Sequence, residues 1–401
     1  YVPEFIDSMK ELAATGCVEF LSETYAHSLS ALEDVEEFVA QVKAHDEKIY
    51  QIFGQKPKVF RNTELIYSDD IAAMVSSMGF KGAITDGAKH ILGWKSPNYL
   101  YNSAAAPKLK LLLKNAKLSD DIAFRFSNTE WASYPLTADK YIDWISQLPQ
   151  EEQIVNLFMN YETFGELQPE HSGIFNFMKA LPRFAAEKGV QFWTPSEIMT
   201  KLKPVSELTV PSPISWADEA RDTSAWLGNM LQQEAVKKIY SIGERVRLCN
   251  DKRIKQDWNY LQASDHFFYM STKHNSDGNV HSHYSPYDSP YTAFTNYMNV
   301  LSDFMIRVEA QYPSDIDNEE LSALLLTIKN QAEEIEALNR EVELMRNNIV
   351  KDLTGDFADD KPAPKKAEPK KEEKAECKKA PAKKCAAKKA PAKKAAKKAE
   401  K

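Results

Sequence analysis

Residues 154–166 read Ile-Val-Asn-Leu-Phe-Met-Asn-Tyr-Glu-Thr-Phe-Gly-Glu, an apolar run that ends in polar side chains. The length and bulk of Ile154–Met159 are typical of a strand buried in a parallel sheet. Asn160 and Glu162 follow two positions apart, so they share one face if the strand continues. In α/β barrels the chemistry lies at the carboxyl ends of the strands. The stretch therefore predicts a barrel strand with candidate site residues at its end.

Strand-like runs alternate with helical patterns up to about residue 205. Besides Ile154–Met159, the predicted strands are Cys17–Ser22, Lys58–Thr63, Phe80–Thr85, Ala123–Phe126 and Val190–Thr194. Ser68 is predicted to cap a helix, and residues 91–115 are predicted to form a long, irregular excursion. Six strands that alternate with helices indicate an α/β fold, either a parallel barrel or a doubly wound sheet.

The composition predicts a globular body of 401 residues, with 43% hydrophobic and 11% aromatic residues for a large core. No apolar run approaches the ~20 residues that a membrane helix needs, so no membrane partner is expected. The first residue is Tyr1, in a predicted amphipathic helix, and we therefore expect an N-terminally incomplete sequence. The spacing of the four cysteines fits neither a disulfide framework nor a zinc site, which favours a reducing, cytoplasmic location.

The charge is divided between an acidic body and a basic tail. Residues 361–401 hold 17 Lys and 5 Glu, whereas the rest of the chain carries 34 basic and 53 acidic residues. The body is therefore a poor candidate for nucleic-acid binding. Residues 352–401, rich in Lys, Ala and Pro, are predicted to be disordered. This tail either contacts polyanions through counterion release or only solubilises the chain.

Two regions follow the barrel-like part of the sequence. Residues 206–312 are predicted to form a helical domain, and a loop in it carries His281 and His283, for which no third metal ligand lies at suitable spacing. Residues 318–350 are predicted to form a coiled-coil helix. Its apolar positions alternate in steps of three and four: Leu321, Leu324, Ile328, Gln331, Ile335, Leu338, Val342, Met345 and Ile349. The pattern favours a homodimer, and a helix packed on the chain's own body is the alternative.

Polar residues cluster just past the predicted strand ends: Glu19, Glu23, Glu64, Asp86, Asn160, Glu162 and Glu197. With Tyr25, Trp131 and Trp193 near them in sequence, they suggest an acidic, aromatic-lined pocket of the kind that sugars occupy. Some carboxylates, such as Glu197, are equally explained as helix N-terminal residues favoured by the helix dipole.

Four of these segments together resemble glycoside hydrolase family 57, in its α-amylase and α-amylase-like branch. The likeness covers about residues 1–310. Residues 16–21 (Gly-Cys-Val-Glu-Phe-Leu) resemble the second signature segment of the family, and residues 60–65 (Phe-Arg-Asn-Thr-Glu-Leu) the third. Residues 159–165 (Met-Asn-Tyr-Glu-Thr-Phe-Gly) are similar to the fourth, and residues 194–197 (Thr-Pro-Ser-Glu) to the fifth. The first segment, a His-Gln-Pro, has no counterpart here.

The resemblance implies an incomplete seven-strand (β/α) barrel over residues 1–205, with its first strand missing, followed by the helical domain. It implies an α-glucan or maltooligosaccharide substrate and no cofactor or metal. Glu64 corresponds to the catalytic nucleophile, and Asn160 stands where active members carry the Asp that acts as general acid/base. The residues expected to contact substrate are Glu19, His27, Glu162, Trp193 and Trp216.

The amide at position 160 raises an alternative function. A retaining glycosidase needs a protonated acid that later acts as a base, and an amide can do neither at neutral pH. The sequence therefore leaves open a glycoside hydrolase with reduced or lost activity and a non-catalytic glucan-binding or scaffolding protein that dimerises through residues 321–349. A metal-dependent polysaccharide deacetylase is a weaker third possibility, because His27, His45 and His90 are not arranged with an Asp as that chemistry requires.

Overall fold

The computed structural model describes residues 3–273 and 285–311, together with single positions between 327 and 342. Its strands are β1 (Val59–Arg61), β2 (Gly82–Asp86), β3 (Tyr101–Ser103), β4 (Lys110–Lys114) and β5 (Ser206–Leu208). Its α-helices are α1 (Pro3–Ala14), α2 (Ser30–Glu33), α3 (Val35–Phe53), α4 (Asp69–Ser77), α5 (Lys89–Leu92), α6 (Ala116–Ala123), α7 (Ala138–Ser146), α8 (Ile174–Glu187), α9 (Pro195–Lys201), α10 (Ser224–Leu227), α11 (Met230–Tyr240), α12 (Gly243–Leu248), α13 (Lys252–Leu261), α14 (Ser264–Phe268) and α15 (Pro290–Gln311). Short 3₁₀ helices span Thr63–Leu65, Tyr161–Thr163 and Glu170–Ser172.

The sheet has the order β1-β2-β4-β3-β5. Strands β1, β2 and β4 are parallel, whereas β3 runs antiparallel to β4 and parallel to β5. Side chains alternate between the two faces along each strand. Val59, Ile84 and Leu112 project from one face, which we call the inner face, into a single apolar cluster. The chain therefore has a mixed α/β fold around a largely parallel sheet.

Two segments predicted as strands run beside this sheet without joining it as regular strands. Ser22 bridges Phe60 in the parallel sense, and its N–H donates to the Val59 carbonyl at 3.0 Å. At the other side, the Asn115 N–H donates to the Asn156 carbonyl at 2.9 Å, and the Asn156 side chain donates to the Leu113 carbonyl at 3.0 Å. A side-chain amide thus replaces a ladder bond, which is why residues 154–159 are extended but irregular.

Three other predictions of strands or loops are wrong. Ala123 ends α6 and residues 124–126 lie in the turn that follows, because Leu118 and Ile122 recur at the four-residue helical spacing. Residues 91–115 are not a loop excursion, since they contain β3 and β4. Residues 190–194 form no strand and lead directly into α9.

The helical part of the chain shares a core with the sheet. Trp226, Phe267 and Phe304 are fully buried, and they belong to the same apolar cluster as Phe38 and Phe60. The described residues from 3 to 311 accordingly belong to one compact unit. Among the described residues, no helix is both long and apolar enough to span a bilayer.

The predicted histidine pair and basic tail lie outside the described residues. Of the predicted coiled coil, the structure describes single positions that are helical; among them Ile335, Leu338 and Val342 are more than half exposed. Dimerisation through this segment stays a prediction.

Leu112→Ala tests the importance of the inner-face cluster. Leu112 is 1% exposed, so its truncation is expected to lower the free energy of unfolding by about 2–5 kcal/mol. Ile306→Ala, at a position of α15 that is 70% exposed, is the matched control and should cost less than about 0.5 kcal/mol. Urea denaturation followed by circular dichroism measures both, and equal losses would contradict the assignment of the core.

Candidate active site

Glu64 lies directly after β1 in a strained stretch of backbone. It is 4% exposed, and both Glu64 and Leu65 have positive φ angles, of 54° and 53°. Each such non-glycine conformation costs on the order of 1–3 kcal/mol. The strain is held in place because Leu65 is buried in the inner-face cluster and Asn62 donates its side-chain N–H to the Ile66 carbonyl at 3.0 Å. Strain of this kind is typical of functional sites, and it fixes where the Glu64 carboxylate lies.

Both carboxylate oxygens of Glu64 have hydrogen-bonding neighbours on other segments. Oε1 lies 3.1 Å from Nε2 of His27, and Oε2 accepts a hydrogen bond of 2.6 Å from the indole Nε1 of Trp216. His27 also has a positive φ, of 50°, and its carbonyl accepts from the Ser264 N–H. The structure thus brings two of the predicted substrate contacts, His27 and Trp216, onto the predicted nucleophile.

Glu64 changes the protonation of its neighbour. Burial by itself would lower the pKa of His27, but the hydrogen bond and the negative charge of Glu64 raise it, and the net pKa lies above the ordinary value of 6.5. A protonated His27 would donate to Glu64 and keep that carboxylate ionised.

The indole of Trp216 spans two cations of the sheet. The Arg61 guanidinium lies 5.4 Å from its ring centroid, and Lys114 Nζ lies 5.0 Å away. Both distances suit cation–π attraction. Trp216 therefore connects the ends of β1 and β4 to Glu64.

Asp86, the last residue of β2, is a second acidic group at this edge of the sheet. It is 2% exposed, and neither of its carboxylate oxygens accepts a hydrogen bond within the described part of the chain. Arg221 Nε lies 3.9 Å from Oδ2, and Arg221 also donates to the Trp216 carbonyl. Burial raises the pKa of Asp86 to about 6, although the charges of Arg221 and Lys114 oppose that rise.

A cavity of about 1540 Å³ opens beside Asp86. Asp86, Lys114 and Arg221 line it together with two aromatic rings, those of Trp131 and Trp144, whose centroids are 6.0 Å apart. A cavity with charged and aromatic lining suits a polar ligand with apolar faces, such as a sugar chain.

Asn160 follows the apolar run of residues 154–159, and Glu162 does not share a strand face with it. Asn160 is half-buried and precedes the 3₁₀ helix at 161–163, where its carbonyl accepts from the Thr163 N–H at 3.2 Å. Glu162 lies within that turn and is exposed. The expectation of a continuing strand is wrong, because the chain turns as soon as the apolar run ends.

Glu19 and Trp193 are tied to α9. The Glu19 carboxylate accepts from the Ser196 N–H at 2.8 Å and from the Ser196 hydroxyl. Trp193 donates to the Gln191 side chain at 3.0 Å, and Lys201 Nζ lies 4.3 Å from its ring centroid. These contacts engage Glu19 and Trp193 at the start of α9 rather than at Glu64.

Sequence reasoning singled out Asp86 only as one of several carboxylates, and it missed Lys114 and Arg221. The signal for Lys114 was the run Leu111–Leu113, a short buried strand between two lysines. No sequence signal places Arg221 beside Asp86. Among the described residues, no three His, Cys, Asp or Glu side chains are grouped as a metal site would require.

Comparison with known proteins points to one family. The sequence model of the family described as Glycosyl hydrolase family 57 matches residues 1–211. A protein of Methanocaldococcus jannaschii named "Putative alpha-amylase" is 43% identical over 311 residues, which is 75% of this chain and 66% of that protein. The chain thus spans slightly less than two thirds of the length of this relative.

Solved structures of low sequence identity share the fold. A GH57-type branching enzyme from Pyrococcus horikoshii has a TM-score of 0.59 at 15% identity, over 81% of this chain and 71% of the enzyme. A 4-alpha-glucanotransferase from Thermococcus litoralis has a TM-score of 0.51 at 16% identity, over 66% of this chain and 46% of the enzyme.

The raised pKa of His27 gives a test of the contact with Glu64. Glu64→Gln is expected to lower the pKa of His27 below 6.5, because burial then acts without the opposing carboxylate. The native pair stabilises the folded state below the unfolded pKa of His27, and this contribution is lost as the pH rises through the higher folded pKa. An NMR titration of the imidazole carbon-bound protons measures the change. Glu23→Gln is the control and should shift the pKa less, since Glu23 acts on His27 only through its charge.

Proposed function

The chain belongs to glycosyl hydrolase family 57, and from that premise we propose that it cleaves α-glucans or maltooligosaccharides by a retaining mechanism with Glu64 as the nucleophile. The observation that carries the proposal is the Glu64 carboxylate, held between His27 and Trp216 at the carboxyl edge of the sheet. In a retaining mechanism such a carboxylate attacks the anomeric carbon and forms a glycosyl ester, which water then hydrolyses.

The surroundings of Glu64 favour this role. A nucleophile must be ionised and aimed, and two hydrogen-bonding neighbours on separate segments orient its oxygens. His27 and Trp216 border any sugar ring that reaches Glu64, so both are proposed substrate contacts. Glu19, Glu162 and Trp193 stay predictions, since their observed contacts lie elsewhere.

Asn160 is proposed to occupy the position of the family's acid/base. Its amide has no proton to give to a leaving group and no basic oxygen to activate water. General acid/base catalysis contributes about 10²–10⁴-fold, so the loss of the Asp by itself lowers turnover by at least that order. Because Asn and Asp are nearly isosteric, the affinity for glucan is expected to survive.

Glu64→Gln tests the nucleophile. With an aryl α-maltotrioside, whose leaving group needs little protonation, we expect slow turnover by the native protein and none by the variant. NMR of the first sugar product should show the α anomer, as retention demands. The control Glu23→Gln removes a carboxylate that pairs with Arg61 at 3.2 Å. Its turnover should stay within about tenfold of the native rate, which corresponds to about 1.4 kcal/mol in the activation barrier. Equal rates in Glu64→Gln and the native protein would exclude Glu64 as the nucleophile.

Asn160 also supports a second candidate, a glucan-binding protein without catalysis. The two functions differ in what they require of the residues around Glu64. In a disabled enzyme these residues stay arranged for reaction, whereas in a binding protein only affinity is kept.

Asn160→Asp separates the two candidates. For a glycoside hydrolase we expect turnover of maltooligosaccharides to rise, by about 10²-fold if no other residue transfers the proton, because the carboxyl restores the proton transfer that the amide cannot perform. Calorimetric titration with maltoheptaose provides the affinity of both proteins. Retained binding with no turnover by either protein would favour the binding protein.

A further inference from the structure

We propose that Asp86 supplies the proton transfer that Asn160 cannot, and that the leaving-group side of the glucan lies in the cavity that Asp86 lines. The inference rests on the proposed function, because it requires Glu64 to be the nucleophile.

The register of the sheet places Asp86 next to Lys114, one of the two cations that contact the Trp216 ring. Strand β2 runs between β1 and β4, with Ile84 opposite Arg61 and Asp86 opposite Lys114. Since residues two apart share a face, Asp86 projects from the same inner face as Ile84. Asp86 thus lies beside Lys114, over which the Trp216 indole is seated.

A second connection joins Asp86 to the strained turn of Glu64. The Thr85 hydroxyl donates to the Leu65 carbonyl at 3.4 Å, so the end of β2 is bonded to the residue that follows Glu64. Gly87 comes next, where a Cβ would lie 2.6 Å from the Lys114 carbonyl oxygen. The absence of a side chain at residue 87 thus lets the chain after β2 lie close to the end of β4.

The Asp86 carboxyl is buried, yet no side chain of the described residues donates a hydrogen bond to it. A buried carboxyl whose oxygens accept no hydrogen bond from the described residues is costly to maintain, and native proteins keep few such groups without a reason. Asp121 lines the same cavity and is as deeply buried, but its carboxylate accepts a hydrogen bond of 2.7 Å from Arg125 Nε. Of these two acids, Asp86 is the one that accepts no hydrogen bond from a side chain of the described residues.

Asp86 can change its protonation near neutral pH. Burial raises its pKa to about 6 and the charge of Asp120 adds to that rise, whereas the charges of Arg221 and Lys114 and the neighbouring Gly87 N–H lower it. Arg61, opposite Ile84, adds a further positive charge to the same face. A carboxyl with a pKa of about 6 is neutral in part of the molecules at pH 6–7 and can act first as an acid and then as a base.

The reaction balances with the residues of this chain and water. One Glu64 oxygen forms a bond to the anomeric carbon while the glycosidic C–O bond breaks, and its electron pair goes to the leaving oxygen, which takes the proton of Asp86. The Asp86 carboxylate then accepts a proton from water as the water oxygen attacks the anomeric carbon. The ester bond breaks, Glu64 regains its carboxylate, and Asp86 is again protonated.

Asp86→Asn, with Glu64→Gln alongside, tests the proposal. On maltoheptaose, whose leaving group needs a proton, Asp86→Asn is expected to lower kcat/KM by about 10²–10⁴-fold. On an aryl α-maltotrioside with sodium azide, which replaces the activated water, its rate should stay within about tenfold of the native rate. Formation of glycosyl azide by this variant also shows that it is folded.

The control is Asp34→Asn, outside the cavity. Asp34 caps α3 and pairs with Arg247 at 2.7 Å, and Asn caps a helix about as well, so both substrates should be cleaved at native rates. In the native protein, kcat/KM for maltoheptaose should fall as the pH rises above about 6, because Asp86 loses its proton, and Asp86→Asn should lack this limb.

Three results would overturn the role of Asp86. The first is an equal maltoheptaose rate in the native protein and Asp86→Asn, and the second is an equal loss of rate by Asp86→Asn on both substrates with no response to azide. The third is a native protein that cleaves the aryl glycoside in a Glu64-dependent way but is inert on maltoheptaose. Failure of the proposed function looks different. In that case the native protein and Glu64→Gln cleave the aryl glycoside at the same rate or not at all, and the role of Asp86 falls with it.

Discussion

The hydrogen bond between the Trp216 indole and Glu64 is the interaction on which the candidate site depends. It joins the turn after β1 to a segment that begins more than 150 residues later in the chain. The same indole lies over Arg61 and Lys114, and the Trp216 carbonyl accepts from Arg221. Loss of this side chain would therefore loosen Glu64 and rearrange the cations around Asp86 together.

Strain around Glu64 makes the position of its carboxylate specific. Left-handed backbone at Glu64 and Leu65 is unfavourable, and it persists because Leu65 is buried against the inner-face cluster. His27, also left-handed, contacts the Oε1 oxygen of Glu64. The apolar interior of the sheet thus holds a polar group in one orientation at its rim, which is what a nucleophile of a double displacement requires.

The proposed role of Asp86 depends on the charges at this rim. Asp86 lies between cations that balance its charge, yet its burial keeps the carboxyl protonated to a higher pH than an exposed Asp. The neighbouring cavity offers room for the leaving part of a glucan chain. Proton transfer would then come from a neighbouring strand of the same sheet.

The sequence by itself determined the parts that depend on local pattern and on signature residues. The Ser68 cap and the strand before Glu64 are both found in the structure, whereas the roles of Glu64 and Asn160 stay predictions. Only the tertiary structure decided that Trp216 and His27 reach Glu64, that Glu19 serves the start of α9, and that β4 brings Lys114 beside Asp86. Periodicity reports burial within one element, whereas these contacts join residues distant in the chain, and such pairings are set by how the elements pack together.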